Sequence, residues 1–326
     1  MTELKTQVLS ILGGRLRDIL GGLSAEDWRR AEEIRLRRGG PLTLVCGGTD
    51  VFVDSGGREC EQGAAYQVTP EDIMRTLQLL SQSSVYALEE ELRRGYVTAP
   101  GGHRVGLAGR VVLEGGAIRT MKSISGLNVR LARQVTGAAD PILPFILQGG
   151  GPHHVLLASR PRGGKTTVLR DLVRQLSDGV PRLKCRGRRV VVVDERSEIA
   201  ACRDGEPQLA VGCRTDVLDA CPKAEGIVMA LRGLSPDIIA TDEIGRPEDA
   251  AAIAEVLNAG VKVLATAHAD RRSDLFKRPV LKELLAEGTF GRVVFLGQRG
   301  SLESVYDGEG RPLFVRCRAW TAAGRG

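Results

Sequence analysis

VLLASRPRGGKTTVLRDLVRQL, residues 155–176, is the stretch on which the fold of this chain turns. VLLAS reads as a buried strand, RPRGG as a turn, and Leu169, Leu172, Val173 and Leu176 recur at the spacing of one core-facing helical stripe. A glycine-bearing turn between strand and helix aims backbone N–H groups and the positive helix end at one concavity, an arrangement suited to phosphate. Against the pattern G-x-x-x-x-G-K-[ST], Ser159 stands at the first glycine and Arg160, Pro161, Arg162 and Gly163 fill the middle. Gly164, Lys165 and Thr166 fit, and Thr167 follows. Lys165 is then the cation that reaches the β- and γ-phosphates of ATP, and Thr166 places its hydroxyl on Mg2+. In an ordinary strand-to-helix turn Lys165 would face the helix dipole unfavourably, a cost absent from the phosphate-site reading.

Downstream, apolar strands alternate with helices. VLLAS, RRVVVVDE, PDIIATDE and VKVLATAHA are separated by helical patterns over 166–177, 223–233 and 247–259. Continuous apolar strands alternating with helices indicate a parallel sheet covered on both faces, an α/β core. Ligands of such sheets sit at the carboxyl ends of the strands. Three ends carry polar groups: Asp194-Glu195, Asp242-Glu243 and His268. An acid after an apolar strand holds magnesium, and a second carboxylate orients the attacking water, so Asp242 is assigned to Mg2+ and Glu243 to the water. Asp194-Glu195 either assist or pair with Arg196. His268 is read either as a γ-phosphate sensor or as a hydrogen-bonded structural residue.

The N-terminal half has a different texture. Apolar positions over 4–20 predict one helix ended by Gly21-Gly22, and Ser24 and Thr69-Pro70 mark two further helix starts. EIRLR, PLTLVC and DVFVD read as strands separated by Gly-Gly turns, another helix is expected over 84–94, and short strands over 96–131 suggest an antiparallel meander. A helix-compatible piece over 140–147 and the Gly149-Gly150-Gly151-Pro152 turn precede the phosphate-loop strand. The boundary is drawn near 135–150, giving an α+β domain at 1–138 and the ATPase domain at 139–326.

Composition narrows the classes. The chain has 326 residues, 42% hydrophobic and 26% charged, with a net charge of +6. There is no apolar run of the ~18 residues that would span a bilayer and no leader pattern at the start, so a cytoplasmic location is expected. The seven cysteines show no metal-ligand spacing and are read as reduced thiols. Arg182, Lys184, Arg186, Arg188 and Arg189 form a basic run, read as a solvated loop. With 4% aromatic residues and none interleaved there, a base-stacking platform is unsupported and nucleic acid is not the expected partner.

EEIRLRRGGPL (32–42), GGHRVGLAGRVV (101–112), SISGLNVRLARQVTG (123–137), VVDERSEIA (192–200), RTDVLDACPKAEGI (214–227), SPDIIATDEIGRPEDA (235–250) and GVKVLATAHA (260–269), with the phosphate loop, resemble the stage III sporulation protein AA family. That family is similar to the hexameric ATPases of type II secretion and type IV pili. The resemblance implies a RecA-like P-loop ATPase core, with Walker A at the loop, an acidic box at VVDERSE, Walker B at ATDEIG and a histidine box at ATAHA. It implies catalytic roles for Glu243, Glu195 and His268, and a homo-oligomeric ring, by family a hexamer, in which the N-terminal domain supplies arginines across interfaces. Arg104, Arg110, Arg119 and Arg130 are the candidates. It further implies docking on membrane proteins of a mother-cell-to-forespore channel at the cytoplasmic face. One departure stands out: the family's Pro-Pro-Gly-x-Gly-Lys loop is here Arg160 to Lys165. If Arg162 needs a positive φ, a side chain there costs on the order of 1 kcal/mol. Two alternatives follow: a nucleotide-gated scaffold with little hydrolysis, motivated by Arg162, and a RecA-like ATPase acting on nucleic acid, motivated by the charge.

Overall fold

The computed structural model describes residues 3–81, 91–148 and 151–316. It divides into two compact units: Met1–Arg133 with Ala201–Gln208, and Gln134–Ala200 with Leu209–Gly326. The first part of the helix expected over 84–94, the Gly149-Gly150 pair and Cys317 lie outside the described residues.

The first unit opens with helices Glu3–Ser10, Gly14–Gly21 and Ala25–Arg30. The single helix expected over 4–20 is therefore two. Gly13 is extended, at φ −64 and ψ 153. A Cβ on it would stand 2.8 Å from Cβ of Arg75, and its N–H donates to Thr76 Oγ1. The chain breaks where it passes closely over the Pro70–Leu80 helix. Ser24 and Thr69 cap as expected, accepting from the amides of Asp27 and Asp72, whose carboxylates return the bond.

Its strands are β1 (Ala31–Arg37), β2 (Thr43–Cys46), β3 (Thr49–Val53), β4 (Glu59–Cys60), β5 (Tyr96–Ala99), β6 (His103–Glu114) and β7 (Ala117–Arg130). They form one antiparallel sheet in the order β4-β3-β2-β1-β7-β6-β5. Ile34 and Leu36 are buried while Arg35 and Arg37 turn to the other face, as strand alternation requires. The core joins them to Leu12, Leu16, Leu20, Trp28, Ile73 and Val129. Residues 201–208 return to this unit, where Gln208 Oε1 accepts the N–H of Gly101 and Arg203 bridges Glu206.

The second unit contains β8 (Val155–Ser159), the short β9 (Gly179–Val180) and β10 (Cys185–Arg186), then β11 (Val190–Asp194), β12 (Thr215–Asp219), β13 (Ile238–Thr241), β14 (Lys262–His268), β15 (Arg292–Leu296), β16 (Leu302–Asp307) and β17 (Pro312–Val315). Eight of these make one sheet, β12-β11-β13-β14-β8-β15-β16-β17. It is parallel through β15, and then β16 and β17 extend it antiparallel, so the sheet is mixed rather than wholly parallel. Helices Lys223–Gly233, Pro247–Asn258 and Pro279–Ala286 cover one face, burying Ile227, Ile253 and Leu281 against Leu156, Val193 and Ile239. The Lys165–Asp178 helix packs on the strands with Val168, Leu169, Leu172, Val173 and Leu176 buried. The helix expected over 140–147 shrinks to Leu143–Ile146, because Pro141 and Pro144 remove two amide donors. Among the described residues no helix is long and apolar enough to cross a membrane, and the six described cysteines are free thiols.

Candidate active site

In the sheet order, β11, β13, β14 and β8 are consecutive parallel neighbours. Their carboxyl ends therefore emerge side by side, carrying Asp194, Asp242, His268 and Ser159. At the last of these the chain turns through Arg160 to Gly163 into the Lys165–Asp178 helix, whose N-cap is Gly164 at φ 92. Arg162 adopts φ 59, the left-handed region in which a side chain is strained. Gly163 has no room for a side chain: a Cβ would lie 2.3 Å from Ser159 Oγ and 3.0 Å from the Arg160 carbonyl. At Gly164 a Cβ would lie 2.6 Å from the Gly300 amide, which itself donates to the Gly163 carbonyl at 2.7 Å. The turn after β15 thus braces the loop from outside.

Lys165 is 7% exposed. Its ammonium donates to the carbonyls of Ser159 (3.1 Å) and Arg160 (3.2 Å) and to Ser159 Oγ (3.2 Å), and lies 2.9 Å from His268 Nδ1. Burial pulls its pKa down to about 8; the Glu243 carboxylate opposes that fall and Arg278 adds to it. His268 Nε2 in turn lies 3.3 Å from Glu243 Oε1, and Arg196 approaches Glu243 Oε2 at 3.5 Å. Lysine, histidine, glutamate and arginine make one polar chain across the strand ends. Glu243 is held at the unusual φ of 25, its amide on Thr266 Oγ1 at 2.8 Å and its carbonyl on Lys223 Nζ at 3.0 Å.

The carboxylates beside this chain differ in environment. Asp242 is buried, and among the described residues its Oδ1 has no hydrogen-bond partner, only Lys223 Nζ at 3.8 Å. Burial raises its pKa, with Lys223 opposing the rise and Glu198 and Glu195 reinforcing it. Asp194 is pushed up to about 6, by burial first and by Asp242 and Asp219, against the pull of amides from Glu198 and Ala200. Its oxygens accept from the amides of Glu198, Ile199 and Ala200, so Asp194 organises the 195–200 turn. Glu195 meets Lys223 (3.3 Å) and Arg246 (3.8 Å). Arg160 pairs with Asp270, and Pro161, Thr166 and Thr167 line the loop and the helix start.

Three contributors escaped the sequence reading. Lys223, 6% exposed, sits amid Glu195, Asp242 and the Glu243 carbonyl. It opens a helix, the same anomaly against the helix dipole that singled out Lys165, and that signal was available. Arg170, buried, donates to the carbonyls of Ile199 and Glu198 and ties the 195–200 turn to the phosphate-loop helix. Thr266 anchors Glu243 from the neighbouring strand. The basic run is mainly exposed, with Arg182 on Asp140 and Arg189 on Asp237. Within the first unit, Arg104 stacks on Tyr96, Arg119 pairs with Glu114 and Arg130 with Glu33.

Comparison with known proteins follows the same lines. A family model described as sporulation stage III, protein AA, matches residues 2–313. Stage III sporulation protein AA of Bacillus subtilis (strain 168) is 42% identical over 310 residues, 94% of this chain and 96% of that one. Among solved structures, the Legionella pneumophila ATPase DotB aligns at TM-score 0.53 with 14% identity, covering 91% of this chain and 77% of its own. The pilus retraction motor PilT, solved with bound ADP, aligns at 0.54 with 14% identity, covering 83% and 75%. At such identity these two show the fold alone, the RecA-like α/β fold of secretion ATPases.

Proposed function

This chain belongs to the sporulation stage III, protein AA family, and from that premise we propose that it is a magnesium-dependent ATPase of the secretion-ATPase type. It works as a homo-oligomeric ring, hexameric by analogy, that powers or assembles a channel complex between mother cell and forespore. It docks on membrane proteins of that complex at the cytoplasmic face. The observation that carries the reading is the continuous chain from Lys165 through His268 to Glu243, beside a buried Asp242 oxygen that accepts no hydrogen bond among the described residues and has Lys223 Nζ 3.8 Å away.

The residues fit Mg-ATP. A glycine turn that admits no Cβ at residue 163 or 164 leaves backbone free to approach phosphate, and Asp242 Oδ1, which accepts no hydrogen bond among the described residues, suits the water shell of a magnesium ion. Mg-ATP, when bound, supplies the phosphoanhydride bond to be hydrolysed. Lys165 exchanges its hydrogen bonds to the Ser159 and Arg160 carbonyls for phosphate oxygens, and Thr166 and Thr167 offer hydroxyls from the first helical turn. Glu243, fixed by Thr266 and Lys223, orients the attacking water and accepts its proton. His268 links the lysine to that base, and Glu195 shares the load of the acidic cluster. Arg104, Arg110, Arg119 and Arg130 of the first unit are the candidates for a donor to a neighbouring copy's site.

The test is steady-state ATP hydrolysis as protein concentration rises, with oligomer mass followed on the same samples. Activity should rise with assembly and vanish in Lys165→Ala, while Glu243→Gln binds ATP without turning it over. Normal turnover by Glu243→Gln would end the role given to that carboxylate. Arg162 at positive φ favours one second reading, a nucleotide-gated scaffold, which ATP binding and assembly without turnover would select.

A further inference from the structure

We propose that the outer part of the β6–β7 hairpin, residues 110–122, is an amphipathic arm that lies on the surface of an anionic lipid bilayer. The inner part of the hairpin is ordinary sheet: β5 pairs only with His103–Gly106 and β1 only with Gly126–Arg130. Beyond Ala108↔Gly126 the two strands continue with no third strand on either side among the described residues. The departure is built in. Three β7 residues intervene before Arg110↔Lys122, Ser123 takes φ 49, and a Cβ on Gly109 would lie 2.8 Å from the Lys122 carbonyl. A two-stranded ribbon is marginal in water, so a surface under this extension of the sheet would stabilise it.

Its register sorts the side chains by face. Val111↔Met121 and Leu113↔Ile118 are directly opposed, and alternation along β6 puts both pairs on one side. Val111, Leu113 and Ile118 are 43%, 63% and 47% exposed, although they are the most apolar part of the ribbon. The other side carries Arg110 opposite Lys122, a like-charge pair that costs stability unless an anion lies near. A bulge at the tip sets Arg119 out of the alternation. Over 110–122 there are three cations against the carboxylate of Glu114, a net of +2.

An apolar face bearing aliphatic tips, flanked by long cationic side chains that can extend to the headgroups, is the pattern of an interfacial membrane element. Open strand edges bar it from crossing the hydrocarbon, so it lies in the interface. A second copy of the chain is the other natural occupant, but the chain's net charge of +6 opposes stacking one basic ribbon on another. Anionic lipid satisfies both faces together. This placement rests on the first unit alone; with Arg110 and Arg119 at the bilayer, Arg104 and Arg130 are the candidates left for a neighbouring copy's site.

The experiment is flotation of the full chain with phosphatidylcholine vesicles, with and without phosphatidylglycerol. Binding is expected to the anionic vesicles, weakening with salt. Arg110→Gln with Lys122→Gln should lower it roughly 30-fold, from ~1 kcal/mol per basic residue at an anionic surface. Leu113→Asp with Ile118→Asp should lower it at least about tenfold. All four positions lie off the core, so melting temperatures should match the parent, and Leu113→Trp should shift its emission to the blue on anionic vesicles. Undiminished flotation by both double variants would overturn the proposal. So would failure of the parent to bind anionic vesicles, or a change confined to oligomer mass, which would make the face a contact between copies.

Discussion

Replacing Lys223 by methionine keeps an unbranched side chain, one heavy atom shorter, and removes one charge from the centre of the acidic cluster. In the parent that ammonium lies 3.3 Å from Glu195, 3.8 Å from Asp242 and 3.0 Å from the Glu243 carbonyl, with Lys223 and Asp242 side chains 7% and 8% exposed. Breaking a buried pair by deleting one partner costs ~3–5 kcal/mol, because the remaining charge stays desolvated. The penalty should have two signatures. Asp242 and Asp194 already have raised pKa values, the latter about 6, and loss of the lysine raises Asp242 further. A carboxyl raised in the folded state binds more protons there than in the unfolded chain, so stability falls as pH rises through the folded pKa. The deficit of Lys223→Met should therefore be largest near neutral pH and shrink as pH drops below the raised pKa values. A divalent cation replaces the missing charge, so Mg2+ should restore more stability to the variant than to the parent, about 2.7 kcal/mol at a hundredfold excess over its Kd. Urea unfolding of both proteins with Mg2+ and with chelator, across that pH range, reads all of this. Parent-like stability, or a deficit indifferent to pH and Mg2+, would refute the argument.

Four further outcomes can be checked. ATP affinity should fall as pH rises through about 8, because Lys165 loses the charge that attracts phosphate; fluorescent-nucleotide titration measures it. Gly163→Ala should push its Cβ into Ser159 Oγ, which stands 2.3 Å from that position, and weaken nucleotide binding; adding Ser159→Gly should recover part of the loss, leaving the Arg160 carbonyl as the residue of the clash. Arg162→Gly should relieve left-handed strain of about 1 kcal/mol, less the entropy of the added glycine, and appear as a slightly higher urea midpoint for the second unit. His103 is fully buried and its pKa lies near 4, lowered chiefly by burial, with Arg133 adding to it. The unfolded chain takes up that proton first, so the first unit should lose up to about 3 kcal/mol as pH falls from 6.5 to 4, followed by hydrogen exchange.

The parallel core was legible because burial on both faces writes itself as unbroken apolar runs: VLLAS, VVVVD, IIAT and VLATA could be little else. The same logic exposed the polar residues at the strand ends. β12 was missed because TDVLD is an edge strand, only partly buried, and carries charge. β15 to β17 and the two helices before them also went unread, although RVVFL is as apolar as the others, since no motif drew attention past His268. Contacts were less legible than positions. That Asp194 would turn inward onto three amides, or that Lys223 would stand among the carboxylates, depends on how loops fold back, which periodicity does not encode. The break at Gly13 likewise reflects a partner, the helix bearing Arg75, that lies far along the chain.

The return of residues 201–208 to the first unit imposes an order on synthesis. A ribosome that has released residue 133 has not yet supplied everything this unit contains. Gln208, which holds the Gly101 turn, emerges only after the phosphate loop, its helix and β11 have been made. At roughly 5–20 residues per second that delay lasts several seconds. During it the nascent first unit waits incomplete while the second begins to fold. A chain truncated at 133 would yield a first unit with one of its segments missing.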